Sequence, residues 1–293
     1  MKLMLGSVQF GLDYGVSNTS GQTSADEVSC ILKLAKKNHI SFIDTASVYG
    51  DSERILGDNN LTAFKVTTKV PCMKSYKGTV AESVASSLKK LRCRSIEGLL
   101  FHSGEDLLGA QGDNLYAQAL AAKLEGKAAK IGVSVYSPAE AKSIAERYDI
   151  DLIQLPLNIL DQRFVESGVL SSLSGKGIEV HARSAFLQGL LLMPIQNLEH
   201  YFFPIKNILE KFHQWHQTLN VSPLALALAF VRSQKMVDRV VVGVNSAAQL
   251  EEIIHNWQVA KALIEEPLIN SKFKAYSVQD ESMVNPALWN SPR

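Results

Sequence analysis

Apolar and polar positions along the chain follow two alternating rhythms. Short, unbroken apolar or β-branched runs at residues 2–6, 41–43, 65–70, 98–102, 130–134, 152–155, 179–182 and 239–242 read as buried strands. Between them the apolar residues fall at helical spacing. Thr23-Ser24-Ala25-Asp26-Glu27 is a helix start, with acids in the first turn where the helix dipole favours them, and Val28, Ile31, Leu32 and Ala35 make the stripe behind it. Further helices are expected at 51–56, at 79–91 (Val80, Val84, Ser87, Leu88 and Leu91 on one face), at 111–126, from Ser137-Pro138 to about Tyr148, at 161–173 and at 223–231. Strand followed by helix throughout predicts a parallel sheet, and a count near eight closes it. The expectation is an α/β fold of the (β/α)8 TIM-barrel type.

No internal repeat or low-complexity linker divides the 293 residues, and barrels of ~250 residues form one unit, so a single domain over 1–293 is expected. A long insertion, 187–238, separates the seventh and eighth strands. Beyond Trp257 the periodicity fades among Pro267, Pro286 and Pro292, and the tail 264–293 is a candidate cover for the barrel mouth. Tyr276 and Trp289 are its candidate aromatic walls, with packing on the barrel exterior an equal alternative.

Composition narrows the partners. Lys and Arg number 30 against 29 Asp and Glu, so no basic excess recommends nucleic acid or an anionic membrane surface, and a small molecule is the expected partner. Cys30, Cys72 and Cys93 lack the spacing of a disulfide framework or zinc site, so buried reduced thiols and no metal are expected. Neither a signal peptide nor a run of ~18 apolar residues is visible, which points to a soluble, cytoplasmic protein.

The chemistry gathers after three successive strands. Ser41-Phe42-Ile43-Asp44 ends at an acid, Tyr49 follows in the small-residue loop Thr45 to Gly50, the next strand delivers Lys69 before Pro71, and the third ends at His102. Polar groups placed repeatedly at the C-terminal ends of parallel strands are how such a barrel builds an active site. A phenol with a pKa of about 10 does acid work near neutrality when a cation lowers that value, and Lys69 is the cation at hand. Taken singly, each residue has an ordinary reading: a loop cap for Asp44, packing for Tyr49, a solvated charge for Lys69, a satisfied core histidine for His102.

Together, and in this order, Asp44, Tyr49, Lys69 and His102 resemble the tetrad of the aldo-keto reductase superfamily. Leu5-Gly6-Ser7-Val8-Gln9-Phe10-Gly11 and the stretch Val242-Gly243-Val244-Asn245-Ser246-Ala247-Ala248-Gln249-Leu250 resemble segments of the same family, and the match runs from about Lys2 to about Trp257. The resemblance implies hydride transfer between a nicotinamide and a carbonyl or alcohol. Tyr49 would give and take the proton, Lys69 would stabilise the phenolate, Asp44 would hold Lys69, and His102 would orient the carbonyl.

It also implies a dinucleotide site. Ser134 and Gln154 match carboxamide-binding positions, while Val135 stands where the family has an asparagine, with Asn158 a possible substitute. Arg183, Ser184, Phe186, Gln188 and Gly189 resemble the segment that wraps nicotinamide and pyrophosphate. Gly243, Asn245, Ser246 and Gln249 resemble the adenosine end, with Glu252 a candidate for the ribose hydroxyls. The lysine and arginine that read a 2′-phosphate in NADPH-preferring members correspond here to Gly243, Val244 and Gln249, so NAD(H) is favoured over NADP(H). Arg183 could hold an acidic group or contact the cofactor. The opening and the Ala182-Arg183-Ser184-Ala185-Phe186-Leu187-Gln188-Gly189 stretch look most like bacterial members associated with surface carbohydrates, suggesting a sugar-like carbonyl substrate. The alternative is a redox sensor that binds a dinucleotide and signals to a protein partner.

Overall fold

In the computed structural model, which describes residues 2–289, eight parallel strands close into a barrel in sequence order. They are β1 (Leu3–Gly6), β2 (Phe42–Asp44), β3 (Lys65–Val70), β4 (Ile96–Phe101), β5 (Ala128–Ser134), β6 (Leu152–Pro156), β7 (Glu179–Arg183) and β8 (Arg239–Gly243). Closure comes from β1 pairing with β8, Leu3 beside Val240 and Gly6 beside Gly243. All eight runs that the hydrophobic pattern marks as strands are present, and β4 and β5 begin two residues earlier than expected.

The helices form where the chain supplies start signals. The helix α1 (Ala25–Lys37) is capped by Ser24, which accepts from the Glu27 amide; Asp26 and Glu27 open it and Lys36 and Lys37 close it. After the short α2 (Ser52–Gly57), α3 (Val80–Leu91) carries a capping box between Thr79 and Glu82. Next come α4 (Gly112–Leu124) and α5 (Pro138–Arg147), the latter with a Ser137–Glu140 capping box and proline in its first turn. The stretch expected as one helix over 161–173 is two. Gly168, at φ +72°, turns the chain between Arg163–Glu166 and α6 (Val169–Gly175).

The insertion between β7 and β8 contributes α7 (Lys206–Thr218), which the pattern did not single out, and α8 (Pro223–Ser233). Every residue of α8 from Leu224 to Val231 is buried, as expected of a helix apolar on all sides. Its cover comes partly from the chain's end: Phe273 meets Phe230 edge to face at 5.5 Å between ring centres. The last barrel helix, α9 (Ala247–Leu263), packs along α8. Tyr276 lies flat on Trp215 of α7, 5.1 Å away, and Trp289 meets Phe202 edge to face, so both rings pack on the insertion. Pro286 and Ala287 are the tail residues that reach the cavity at the mouth.

Two further outcomes concern composition. The three cysteines are free, and the expectation that they are buried fails. Cys30 is exposed on the face of α1 opposite its apolar stripe, and Cys72 and Cys93 are half-buried. No helix of the described residues is long and apolar enough to cross a membrane.

Candidate active site

The C-terminal ends of β2, β3 and β4 bring the first four candidates together. Lys69 and Asp44 are 1% and 4% exposed, and the ammonium donates to both carboxylate oxygens, at 2.8 and 2.7 Å. Its third contact is the Thr45 carbonyl at 3.0 Å, so all three of its donors are engaged. The Tyr49 ring stands edge-on to His102, 5.8 Å between centres, and the Lys69 ammonium lies 5.1 Å from the centre of the Tyr49 ring.

Tyr49 is held by local backbone geometry. The loop after β2 continues alongside β3, Thr45 and Ser47 donating to the Thr67 and Lys69 carbonyls. Gly11 then lies so close that a Cβ there would stand 1.8 Å from the Tyr49 carbonyl oxygen. Gly50 takes φ +53° against Gly11, a turn that a side chain would strain and obstruct. The glycine that ends the segment Leu5 to Gly11 thus fixes the tyrosine's loop.

Electrostatics differ from the simple expectation at one residue. Burial chiefly, and then the Asp44 carboxylate, push the Tyr49 phenol above its ordinary value, with Arg183 opposing. Lys69 is not among the groups that lower it; of the buried pair it is the Asp44 carboxylate whose charge the phenol feels. Burial likewise lowers the Lys69 pKa against the pull of Asp44. His102 is lowered to about 4, first by burial and then by the Lys69 charge, and is neutral near pH 7.

One cavity of about 520 Å³ joins these four to the expected dinucleotide residues, a size typical of cofactor pockets, ~300–1,000 Å³. Ser134, Gln154, Arg183, Ser184, Phe186, Gln188, Gly189, Gly243, Asn245, Gln249 and Glu252 all line it. Ser246 does not; its hydroxyl caps α9 by accepting from the Gln249 amide. The Gln154 side-chain amide donates to Asp44 at 2.8 Å, which ties it to the ion pair. Asn158 is buried and committed to the backbone, donating to the Ser184 carbonyl and accepting from Leu160 and Asp161, so it does not stand in for the missing asparagine.

Three contributors were not singled out from sequence. Gln9 lines the cavity with its side-chain oxygen buried and unpaired among the described residues, and a Cβ on Gly243 would lie 2.7 Å from its amide. Tyr136, two residues past β5, lies under the Arg183 guanidinium, 4.3 Å from ring centre to cation. Asn18 accepts from the Asn245 side chain at 2.9 Å, while Ser17 donates to the Gln188 carbonyl and Gln188 donates to the Tyr14 hydroxyl. Loop 14–21 is therefore fastened to both sides of the groove. Gln9 was visible inside the first quoted segment; the bond through Asn18 joins residues 227 apart, and no local pattern announces it.

An unpaired buried acceptor at Gln9, a glycine that leaves room at 243, and the capped N-terminus of α9 fit the dinucleotide that this groove would hold. Among the described residues, no group of three or more His, Cys, Asp or Glu gathers as a metal site.

Comparison with known proteins adds the family. The pattern of the aldo/keto reductase family matches residues 2–266. Among solved structures, the aldo-keto reductase AKR11C1 from Bacillus halodurans, in its holo form, superposes with a TM-score of 0.78 at 20% identity, over 96% of this chain and 94% of that one. PA4992 from Pseudomonas aeruginosa, a proposed aldo-keto reductase, does so with a TM-score of 0.67 at 23% identity, over 89% and 90%. At these identities the likeness is one of fold. No curated protein matches. The family match over nearly the whole barrel is sufficient by itself: the chain belongs to the aldo/keto reductase family, whose members are oxidoreductases that interconvert carbonyls and alcohols with nicotinamide cofactors.

Proposed function

We propose that the protein is a cytoplasmic reductase of an aldehyde, ketone or sugar-like carbonyl, with Tyr49 as proton donor and acceptor and NAD(H) as the preferred nucleotide. The observation that carries this reading is the buried Lys69–Asp44 pair set against Tyr49 and His102 at one end of a dinucleotide-sized cavity.

The phenol, pushed up by burial, is fully protonated near pH 7 and has a proton to give. The neutral imidazole of His102 can donate a hydrogen bond to the carbonyl oxygen, orienting it and stabilising charge as it develops. Lys69 places a positive charge beside the ring that becomes phenolate, and Asp44, steadied by Gln154, fixes that charge in position. Reduced nicotinamide, when bound, supplies the hydride to the carbonyl carbon. In the opposite direction Tyr49 takes the proton back.

The nucleotide preference rests on charge. Among the described residues, the cations lining the cavity are Lys69 and Arg183, both at the catalytic end, whereas Gly243, Asn245, Gln249 and Glu252 line the other end. A 2′-phosphate carrying nearly two charges would meet a carboxylate there instead of a cation. The tail, through Pro286 and Ala287, would narrow the entrance.

Two measurements test the proposal: titration with NADH and NADPH followed by nicotinamide fluorescence, and turnover of a carbonyl panel by the native protein and Tyr49→Phe. Tighter binding of NADH by about tenfold, ~1.4 kcal/mol, and turnover lost in the variant are expected. Nucleotide binding without turnover of any carbonyl would return the protein to the sensor reading.

A further inference from the structure

We propose that Arg183 recognises an anion on the substrate, so that the carbonyl compound turned over in this cavity carries a carboxylate. This rests on reading the cavity as a carbonyl-reducing site, and its argument begins with charge. Among the described residues, three kinds of charged group face the cavity: the Lys69–Asp44 pair, whose members offset each other, Glu252 on α9, and Arg183 at the end of β7. Glu252 belongs to the side away from the tetrad. The catalytic end is left with one positive charge that no carboxylate of the described residues pairs.

The guanidinium is already ordered. It lies over the Tyr136 ring at 4.3 Å and is tied by two neutral acceptors, the Val135 carbonyl at 3.2 Å and the Ser184 hydroxyl at 3.3 Å. Stacking fixes the plane of the fork, and two contacts leave three of its five N–H donors for a ligand. A half-buried guanidinium with neutral partners keeps part of its desolvation cost, which a bound carboxylate would offset through two parallel hydrogen bonds.

Its position belongs to the reacting end of the cavity. Arg183 opposes the rise of the Tyr49 pKa and adds to the lowering of His102, so its field reaches the two groups that would touch a carbonyl. A substrate anion in the fork would place the carbonyl between Tyr49 and His102 and fix its orientation. The same anion would counter the one charge the protein leaves unpaired there.

The test compares acids with neutral partners of the same shape: succinic semialdehyde with its methyl ester, and glucuronate with glucuronamide. The native enzyme should favour the acids at least tenfold in kcat/KM, chiefly through KM. Arg183→Gln should cost the acids roughly 10- to 100-fold, the range of a lost charge-assisted contact, and the neutral compounds far less. Arg183→Lys should recover part of the preference, since the charge returns without the fork. An acid-to-neutral ratio that survives Arg183→Gln overturns the proposal. So does an NADH dissociation constant that rises as much as acid turnover falls, because the guanidinium would then serve the nucleotide. If the native protein reduces no carbonyl, the reductase reading fails separately, and calorimetric titration with succinate decides the anion site. Binding that disappears in Arg183→Gln sustains the site; no binding to the native protein removes it.

Discussion

Replacing Lys69 with methionine leaves the Asp44 carboxylate buried with the Gln154 amide as its remaining partner, after losing contacts at 2.7 and 2.8 Å. At 4% exposure the carboxylate cannot recover them from water, and its escape is to take up a proton. Holding an aspartic acid protonated at pH 7 against an ordinary value of about 3.9 costs about 1.4 kcal/mol for each of about three pH units, or about 4 kcal/mol. That agrees with the ~3–5 kcal/mol usual for breaking one half of a buried pair. The sign with pH follows. In the variant the folded pKa of Asp44 is raised above its unfolded value, so stability is intact below about 3.9 and lost as pH rises; the deficit at pH 5 should be about 1.5 kcal/mol. Asp44→Asn combined with Lys69→Met removes both charges and should be milder than the single change, with a loss nearly independent of pH. Urea unfolding of the native protein and the two variants at pH 5 and pH 7 measures all of this. A single variant that loses under 1 kcal/mol at pH 7, or loses equally at both pH values, would refute the account of the pair.

Four other outcomes are expected. Gly243→Ala puts a methyl 2.7 Å from the Gln9 amide and should weaken nucleotide binding while leaving the melting temperature within a few degrees; unchanged affinity would remove Gln9 and Gly243 from the groove. With His102 lowered to about 4 from 6.5, the acid limb of kcat/KM should fall near pH 4, and an inflection between 6 and 7 would contradict its burial. His102 also opposes acid stability: the unfolded chain binds its proton first, so stability drops as pH falls from about 6.5 to about 4, a drop that His102→Gln should lessen in pH-dependent unfolding. Glu179, lowered to about 2 by His181 and Lys130, contributes stability above about 4.5 that disappears as pH falls toward 2, and Glu179→Gln should flatten that acid limb.

The barrel was legible because each strand is a compact apolar run and most helices announce themselves with caps: Ser24, Thr79 and Ser137 do so with a glutamate three residues on. Where a single residue decides, pattern failed. Gly168 divides a stretch whose apolar spacing continues through it, and α7 packs through Phe212 and Trp215 on Tyr276 and Phe273, partners supplied by the tail. That Asp44, Tyr49, Lys69 and His102 come together was legible because three of them lie at or beside the ends of successive strands and Tyr49 follows the first, so chain order carried the spatial information. The rise of the Tyr49 pKa was not, because it depends on burial from every side and then on the nearby Asp44 carboxylate. Arg183 was visible as a charge near the mouth; its commitment to Tyr136, Val135 and Ser184, and to no acid among the described residues, required three-dimensional contacts.

Loop 14–21, fastened to Gln188 on one side and Asn245 on the other, has a consequence for the tempo of catalysis. The attachment at Gly189 is tight: that residue sits at φ +92°, and a Cβ there would strike the Ser17 hydroxyl. A nucleotide bound in the groove that this loop borders would have to part these bonds before leaving, and on that reading the departure of the nucleotide, and not hydrogen transfer, would set the pace. Deuterium in place of the transferred hydrogen should then slow the first turnover and leave the steady rate untouched.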